Sequence, residues 1–300
     1  MCLGLLKTSA SEYALMTSDP EQFVTLALDT CDKQQSRIVK TQAAKLIETI
    51  CDNIDGAVSF VTLFCCQSIY LALDDHKKEI NTDFTSEYSV FSDCNFLQNT
   101  PEIIAETSLL ALTAISYILP RRADLVPIFE KALALNIDRI LSEGSILLRC
   151  RMSLLLGYYV DMLFEKYSQA FLKTIDFLIR SVALIKEEKV IALQSADTLN
   201  TIISDKDLIP RLKPEVPRLV EILKECNMRI NIALYFNFLL DFVKYYHSAI
   251  DQHVVPLLQT LVQRILVELK NCHDKGEKNN LIINKCWNVI RQIVETPTFI

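Results

Sequence analysis

The sequence predicts an all-α chain of stacked helical hairpins, and three observations carry that expectation. First, 300 residues contain only five glycines and nine prolines. Sheet proteins need many tight turns, and turns draw on these residues, whereas long helices with short links do not. Second, apolar residues recur at three- and four-residue steps. Leu147, Cys150, Leu154 and Tyr158 form one such series, and Val190, Leu193, Ala196 and Leu199 form another; that is the period of a buried helix face. Third, the pattern repeats. Segment 145–226 reads as two consecutive copies of one hairpin, 145–163 with 169–185 and then 187–204 with 213–226. First helices start near 37, 101, 145, 187, 229 and 279, and the regular steps are about 42 to 44 residues, the spacing of HEAT and armadillo arrays. A hairpin of this size cannot bury both its faces alone, so copies must stack. The expected architecture is therefore a right-handed α-solenoid of HEAT/ARM-type hairpins.

Taken in order, residues 1–18 carry no strong pattern and are expected to be extended or frayed. The solenoid is expected over 19–300. Asp19-Pro20-Glu21 opens the first helix, with Asp19 as N-cap and Pro20 at its first position; its apolar face is Phe23, Val24, Leu26, Ala27 and Cys31. A helix over 37–51 follows, with Val39, Ala43, Leu46, Ile47 and Ile50 turned inward. Gly56 separates it from its partner at 57–73. Segment 74–99 breaks the period. It holds Asp74, Asp75, Glu79, Asp83, Glu87 and Asp93 against Lys77 and Lys78, with aromatic residues between them. A structureless stretch of that length is unusual inside a compact chain and is commonly functional or disordered, so it reads as an acidic insertion.

The period resumes at Thr100-Pro101-Glu102, with helices expected over 101–119 and 123–141. The two central copies come next. A hairpin pairing 229–247 with 252–270 follows, then a polar loop at 271–279 and a last helix at 280–294 carrying Trp287. That last helix lacks a partner in the sequence, as in a fragment or one end of a longer protein.

A net charge of −6 opposes a nucleic-acid surface, which would cluster Lys and Arg. It suits protein partners with basic segments. No apolar run is long enough to span a bilayer, and Met1–Leu6 is too short for a signal h-region. Seven of the ten cysteines (Cys31, Cys51, Cys65, Cys66, Cys150, Cys226 and Cys286) fall within apolar helical patterns, where reduced thiols pack as small hydrophobes. The expected chain is soluble and reduced.

The search for chemistry finds no constellation. The glycines form no phosphate-binding loop, and no GxSxG elbow exists. His247, His253, Cys272 and His273 lack metal-ligand spacing and read as helix-end and loop residues. Glu187-Glu188 reads as a helix start complementing its dipole. No catalytic, cofactor-binding or metal-ligating residue is assigned, and the chain is read as a non-enzyme. Of Tyr158-Tyr159, Tyr235-Phe236 and Tyr245-Tyr246, one member of each pair is expected in the core and the other along a groove. The contact surface is assigned to the acidic insertion and to charged positions on second helices: Glu130, Asp138, Asp176, Arg180, Arg218 and Glu221. Salt links between neighbouring hairpins would explain those six equally well.

Four pieces, in order and spacing, then point to a family. Asp19-Pro20-x-x-Phe23-Val24, Leu28-x-x-Cys31-Asp32 and Ala43-x-x-Leu46-Ile47-x-x-Ile50-Cys51 make the first. Ala105–Tyr117 resembles a "REAALLALG" helix, Arg149-Cys150-Arg151 an "RAR" repeat start, and Val190–Leu199 a "V..AA..AL" helix. Over residues 19–226 the chain resembles the importin-β-like karyopherins, the HEAT-repeat receptors of nuclear transport. That resemblance implies inner helices that grip cargo and outer helices that hold Phe-Gly nucleoporins in shallow apolar grooves. It also implies passage between cytoplasm and nucleus through the nuclear pores. The family binds the GTPase Ran chiefly through N-terminal repeats, and nothing before Asp19 resembles them. The competing expectation is a HEAT scaffold or adaptor subunit that organises another complex, such as a phosphatase regulatory subunit or a coat adaptor.

Overall fold

The computed structural model describes residues 2–28, 35–73, 100–160, 168–184, 187–205, 208–227, 233–275 and 281–296. Among them every regular element is helical, so the protein is all-α. The acidic insertion at 74–99 lies outside the described residues.

The N-terminal segment differs from expectation. A 3-10 turn, Cys2–Leu6, leads into α1, Ala10–Ser18. The Ser9 hydroxyl accepts from the Glu12 backbone N–H at 3.3 Å, and the Glu12 carboxylate accepts from the Ser9 N–H at 2.7 Å. This is a reciprocal capping box. It starts a helix that has almost no apolar stripe, which is why periodicity passes over it.

Helix α2 is Pro20–Leu28. The Asp19 carboxylate accepts from the Gln22 N–H at 3.0 Å, the cap expected there. Helices α3, Gln35–Asn53, and α4, Ala57–Leu73, are joined through Gly56, whose φ of 80° lies in the left-handed region that glycine tolerates. Ala43 and Ile47 face inward as expected, but Leu46 is 47% exposed.

Helix α5, Pro101–Ala114, ends before the expected 119. The Ile115 N–H donates to the Leu112 carbonyl and the Ser116 N–H to the Thr113 carbonyl, and further i→i−3 bonds carry the chain to a 3-10 turn at Leu119–Arg121 containing Pro120. Helix α6 is Val126–Glu143 and α7 is Ile146–Tyr158, with Gly144 between them. A Cβ at Gly144 would lie 2.4 Å from the Ile140 carbonyl oxygen, so the link admits only glycine without a backbone shift. Ser145 caps α7, accepting from the Leu148 N–H at 3.3 Å. Helix α8 is Ser168–Ala183 and α9 is Lys189–Ser204. A helical turn at Ile209–Leu212 and a 3-10 turn at Lys213–Glu215 precede α10, Val216–Asn227. Helix α11, Ala233–Ile250, bends at Tyr246, where φ is −116° and ψ is 17°. Helix α12 runs Val254–Lys275 and α13 runs Leu281–Glu295. The first part of the polar loop expected at 271–279 is therefore the last turn of α12, held by buried Cys272.

The chain divides into two compact units, Met1–Phe177 and Leu178–Ile300. In the first, α3 packs on α5 and α5 on α7, while α4 packs on α6; α4 also lies against α5. Its core includes Leu109, Leu112, Phe129, Leu155 and Tyr159. In the second, α9 packs on α11 and α11 on α13, while α10 packs on α12. Leu193, Leu199, Phe238, Phe242 and Val289 lie in its core.

Candidate partner-binding site

Within the first unit, α3, α5 and α7 present a groove, closed at one end by the N-terminal turn and α1. Its base is polar. Glu106, on α5, sits among Ala105, Thr107, Ser108 and Leu109, all buried. Arg151, on α7, is equally enclosed by Cys150, Met152 and Leu155. A charge on such a face needs a partner, because desolvation without one is costly. The two meet at 3.5 Å, Nε to Oε1, with their side chains 4% and 1% exposed.

Thr8 completes the cluster. Its backbone N–H donates to Glu106 Oε2 at 3.2 Å and its hydroxyl donates to Oε1. The same hydroxyl accepts from Arg151 Nη2 at 3.0 Å. The Phe23 ring lies beneath the guanidinium, 5.5 Å from centroid to Cζ.

A second clasp lies beside the first. Lys40 Nζ is 2.9 Å from Glu12 Oε1. Burial pushes the Glu12 carboxyl upward, but Lys40 and the Ser9 N–H and hydroxyl outweigh it and hold the group below its ordinary range. Lys40 moves the other way from what a salt bridge alone would give. Burial and the neighbouring Arg151 push it down against the pull of Glu12 and Glu106. The contact distance supports an ionised pair, with Lys40 the half that depends on its carboxylate.

Above this base is a cavity of about 350 Å³ with apolar walls that include Ala44, Leu110, Ala114 and Leu154. Tyr117 and Tyr158 line its mouth, 42% and 51% exposed. Tyr159, by contrast, is fully buried and donates its hydroxyl to the Leu112 carbonyl at 2.6 Å. One tyrosine in the core and its neighbour along a groove is the division expected for this pair. Tyr246 is likewise buried beside half-buried Tyr245.

The residues assigned to a contact surface do not converge here. Asp74, Asp75, Glu79, Asp83, Glu87 and Asp93 lie outside the described residues. Glu130 is buried in α6 at 6% exposure and offers no surface, a correction that follows from its place beside Phe129 on the packed face. Asp138 is exposed and pairs with Lys173 at 2.9 Å, tying α6 to α8. Arg218 lies 4.0 Å from Glu215, and Glu221 lies 4.0 Å from His253. Asp176 is half-buried and Arg180 exposed, both on α8. Among the described residues, no three His, Cys, Asp or Glu side chains are placed to hold a metal ion, and no helix is long and apolar enough to cross a membrane.

Sequence reasoning placed Ala105–Tyr117 and Arg149–Arg151 as helices but missed Thr8, Glu12, Lys40, Glu106 and Arg151 as a set. The available signal was a lone charge inside each of two otherwise apolar helix faces. No family model matches the chain, and no curated protein or solved structure matches it.

Proposed function

We propose that this chain is a non-enzymatic nuclear transport receptor of the karyopherin type, or a piece of one, built as a right-handed α-solenoid of HEAT/ARM-type hairpins. It binds protein cargo with basic segments and Phe-Gly nucleoporins while passing between cytoplasm and nucleus. The solenoid reading is supported by the packing within each unit, where first helices stack on first helices and second on second.

The observation that carries the functional reading is the groove on the first-helix layer. Small apolar residues, Ala44, Leu110, Ala114 and Leu154, alternate along its walls with charged and hydroxyl side chains such as Lys45, Glu48 and Thr113; two exposed tyrosines line it, and its volume admits a phenyl ring. Aromatic side chains gain from burial and from ring contacts of this kind. The resemblance of the sequence pieces between Asp19 and Leu199 supports the karyopherin reading, and the acidic net charge favours basic cargo.

The experiment compares retention of the purified chain on beads carrying Phe-Gly repeats with beads carrying Ser-Gly repeats. Phe-dependent retention is expected, and Ala114→Trp, which fills the groove, should reduce it severalfold. Equal retention on both beads would turn the assignment to a HEAT scaffold or adaptor.

A further inference from the structure

The segment that closes the groove is attached in an unusual way. Helix α1 buries Glu12 and no apolar side chain among its residues. Leu5 and Tyr13 point outward, 48% and 39% exposed. In the preceding turn, Leu6 is the apolar anchor, 1% exposed, and the turn rests on α3 and α5. Leu3, Leu15 and Met16 are half-buried and α1 rests on α2, while the other fully buried groups among the described side chains are polar: Thr8 on the Glu106–Arg151 pair, and Glu12 on Lys40. Ordering a chain segment costs conformational entropy. One fully buried leucine, three half-buried apolar side chains and two polar clasps are a thinner attachment than that of α5, which is lined with buried residues.

Lifting the segment leaves a seat with definite chemistry. Glu106 and Arg151 keep each other, so the base persists. Lys40 loses its carboxylate while still facing Arg151. Lys40, Lys45 and Arg151 then stand against Glu48 and Glu106, and the open seat lacks one negative charge. Beside it is the apolar slot vacated by Leu6, and between them the Glu106 carboxylate, ready to accept from a hydroxyl.

We infer that Cys2–Ser18 is a displaceable strap, an internal ligand occupying the seat of a partner peptide that bears a leucine, a serine or threonine two residues on, and a carboxylate four residues beyond that. Strap and partner compete for one groove, so the partner must supply Glu12's charge as well as Leu6's bulk. Binding of this kind is slower than to an open groove, and its apparent affinity is reduced by the fraction of chain with the strap closed. The inference goes beyond the transport reading and stands whichever partner the aromatic mouth accepts.

The test uses the full chain and a fluorescein-labelled peptide of residues 3–18, read by polarisation. Wild type is expected to bind weakly. The variant Thr8→Val with Glu12→Gln, whose own strap has lost both clasps, should bind the peptide at least tenfold more tightly. That gain should vanish when Lys40→Met is added, and when the peptide carries Leu6→Ser or Glu12→Gln. A folded clasp variant, with an unaltered helical spectrum, that binds no better than wild type overturns the proposal. Should that variant not fold, hydrogen exchange on wild type decides. Amides of 10–18 should exchange at least a hundredfold faster than those of α5, and equal protection overturns it. Neither readout contains Phe-Gly repeats, so failure here leaves the bead result standing, and the converse holds.

Discussion

Each unit holds a buried ion pair, and the two differ in how they are encoded. Arg264 and Glu268 lie four residues apart on α12, 2.7 Å from each other, with side chains 5% and 7% exposed. Glu106 and Arg151 are as deeply enclosed but come from different helices, with Thr8 bridging them from a third segment. The first pair forms whenever α12 forms, because i and i+4 side chains share a face. The second forms only when α5, α7 and the N-terminal turn are all in place. Equal burial therefore hides unequal information. One pair reports a helix, and the other reports the assembly of a unit.

The largest effect that would test this contrast is Arg151→Met. It strands the Glu106 carboxylate at 1% exposure and removes the cation over Phe23. Breaking a buried pair from one side costs about 3–5 kcal/mol, read as a lower urea midpoint by far-ultraviolet circular dichroism. Adding Glu106→Gln should recover a large part of that loss, since the remaining amide is neutral. A double variant as unstable as the single one would mean that the guanidinium acts through packing rather than charge.

Arg264→Met is expected to cost less than Arg151→Met, although the pair is just as buried. The pair itself lies within one helix and ties no two segments together, whereas Arg151 also holds Thr8 and lies over Phe23. Trp287, the single tryptophan, sits on the neighbouring α13 and provides the fluorescence signal for this unit. The Cys286 thiol is a local probe of the same pair. Burial pushes it up to about 11, with Arg264 pulling it back and Glu268 adding to the rise. Losses of equal size at the two sites would undo the distinction between a local and an assembled pair.

The same distinction explains what could be read from the sequence. Period and composition gave the helices, because a buried face is written in consecutive residues. Ala57–Leu73 matches its expected bounds, and Asp19 caps as its Asp-Pro-Glu context implies. Leu46 fits the period of α3 yet is exposed, since periodicity assigns a stripe but not its width. Helix α1 was invisible for the opposite reason: its anchor is a carboxylate, and Ser9-x-x-Glu12 carries its start without an apolar stripe behind it. The candidate site was half legible. Glu106 and Arg151 stood out only as charges in apolar runs, and their mutual contact, 45 positions apart, is written nowhere in local pattern.

A smaller effect comes from pH. Glu12 is held below its ordinary range, and a depressed carboxyl adds stability above its unfolded pKa that is lost as pH falls through the folded one. Burial raises it, while Lys40, then Ser9, lower it and prevail. Below the usual carboxylate range the strap should therefore loosen first, before α5 and α7. Amides of 10–18 should exchange faster, relative to those of α5, at pH 4 than at pH 7, after correction for intrinsic rates. In Glu12→Gln the ratio should be independent of pH over that interval. A ratio that still rises with acid in the variant would assign the effect to another carboxylate.

The smallest effect concerns how Arg151 is delivered. It sits six residues after Ser145, on a helix whose start is fixed by the Ser145 hydroxyl at the Leu148 N–H and by the Gly144 link. Arg149 adds a bond from its Nε to the Gly144 carbonyl at 3.0 Å, so the first turn is held from two sides. Ser145→Ala removes one side, and losing such a cap costs about 1 kcal/mol. Because α7 is packed along its length, with Leu147 through Leu156 buried apart from Arg149, the loss should appear as fraying of the first turn rather than movement of Arg151. Melting should fall slightly while the labelled-peptide affinity of the clasp-deficient chain stays unchanged. Gly144→Ala tests the same helix from the other direction. Its Cβ meets backbone, which can yield only by shifting α7 against α6, so it should lower peptide affinity as well as stability. If Ser145→Ala also weakened the peptide, the position of Arg151 would depend on the cap, and the assembled pair would be less independent of local structure than its three-segment origin implies.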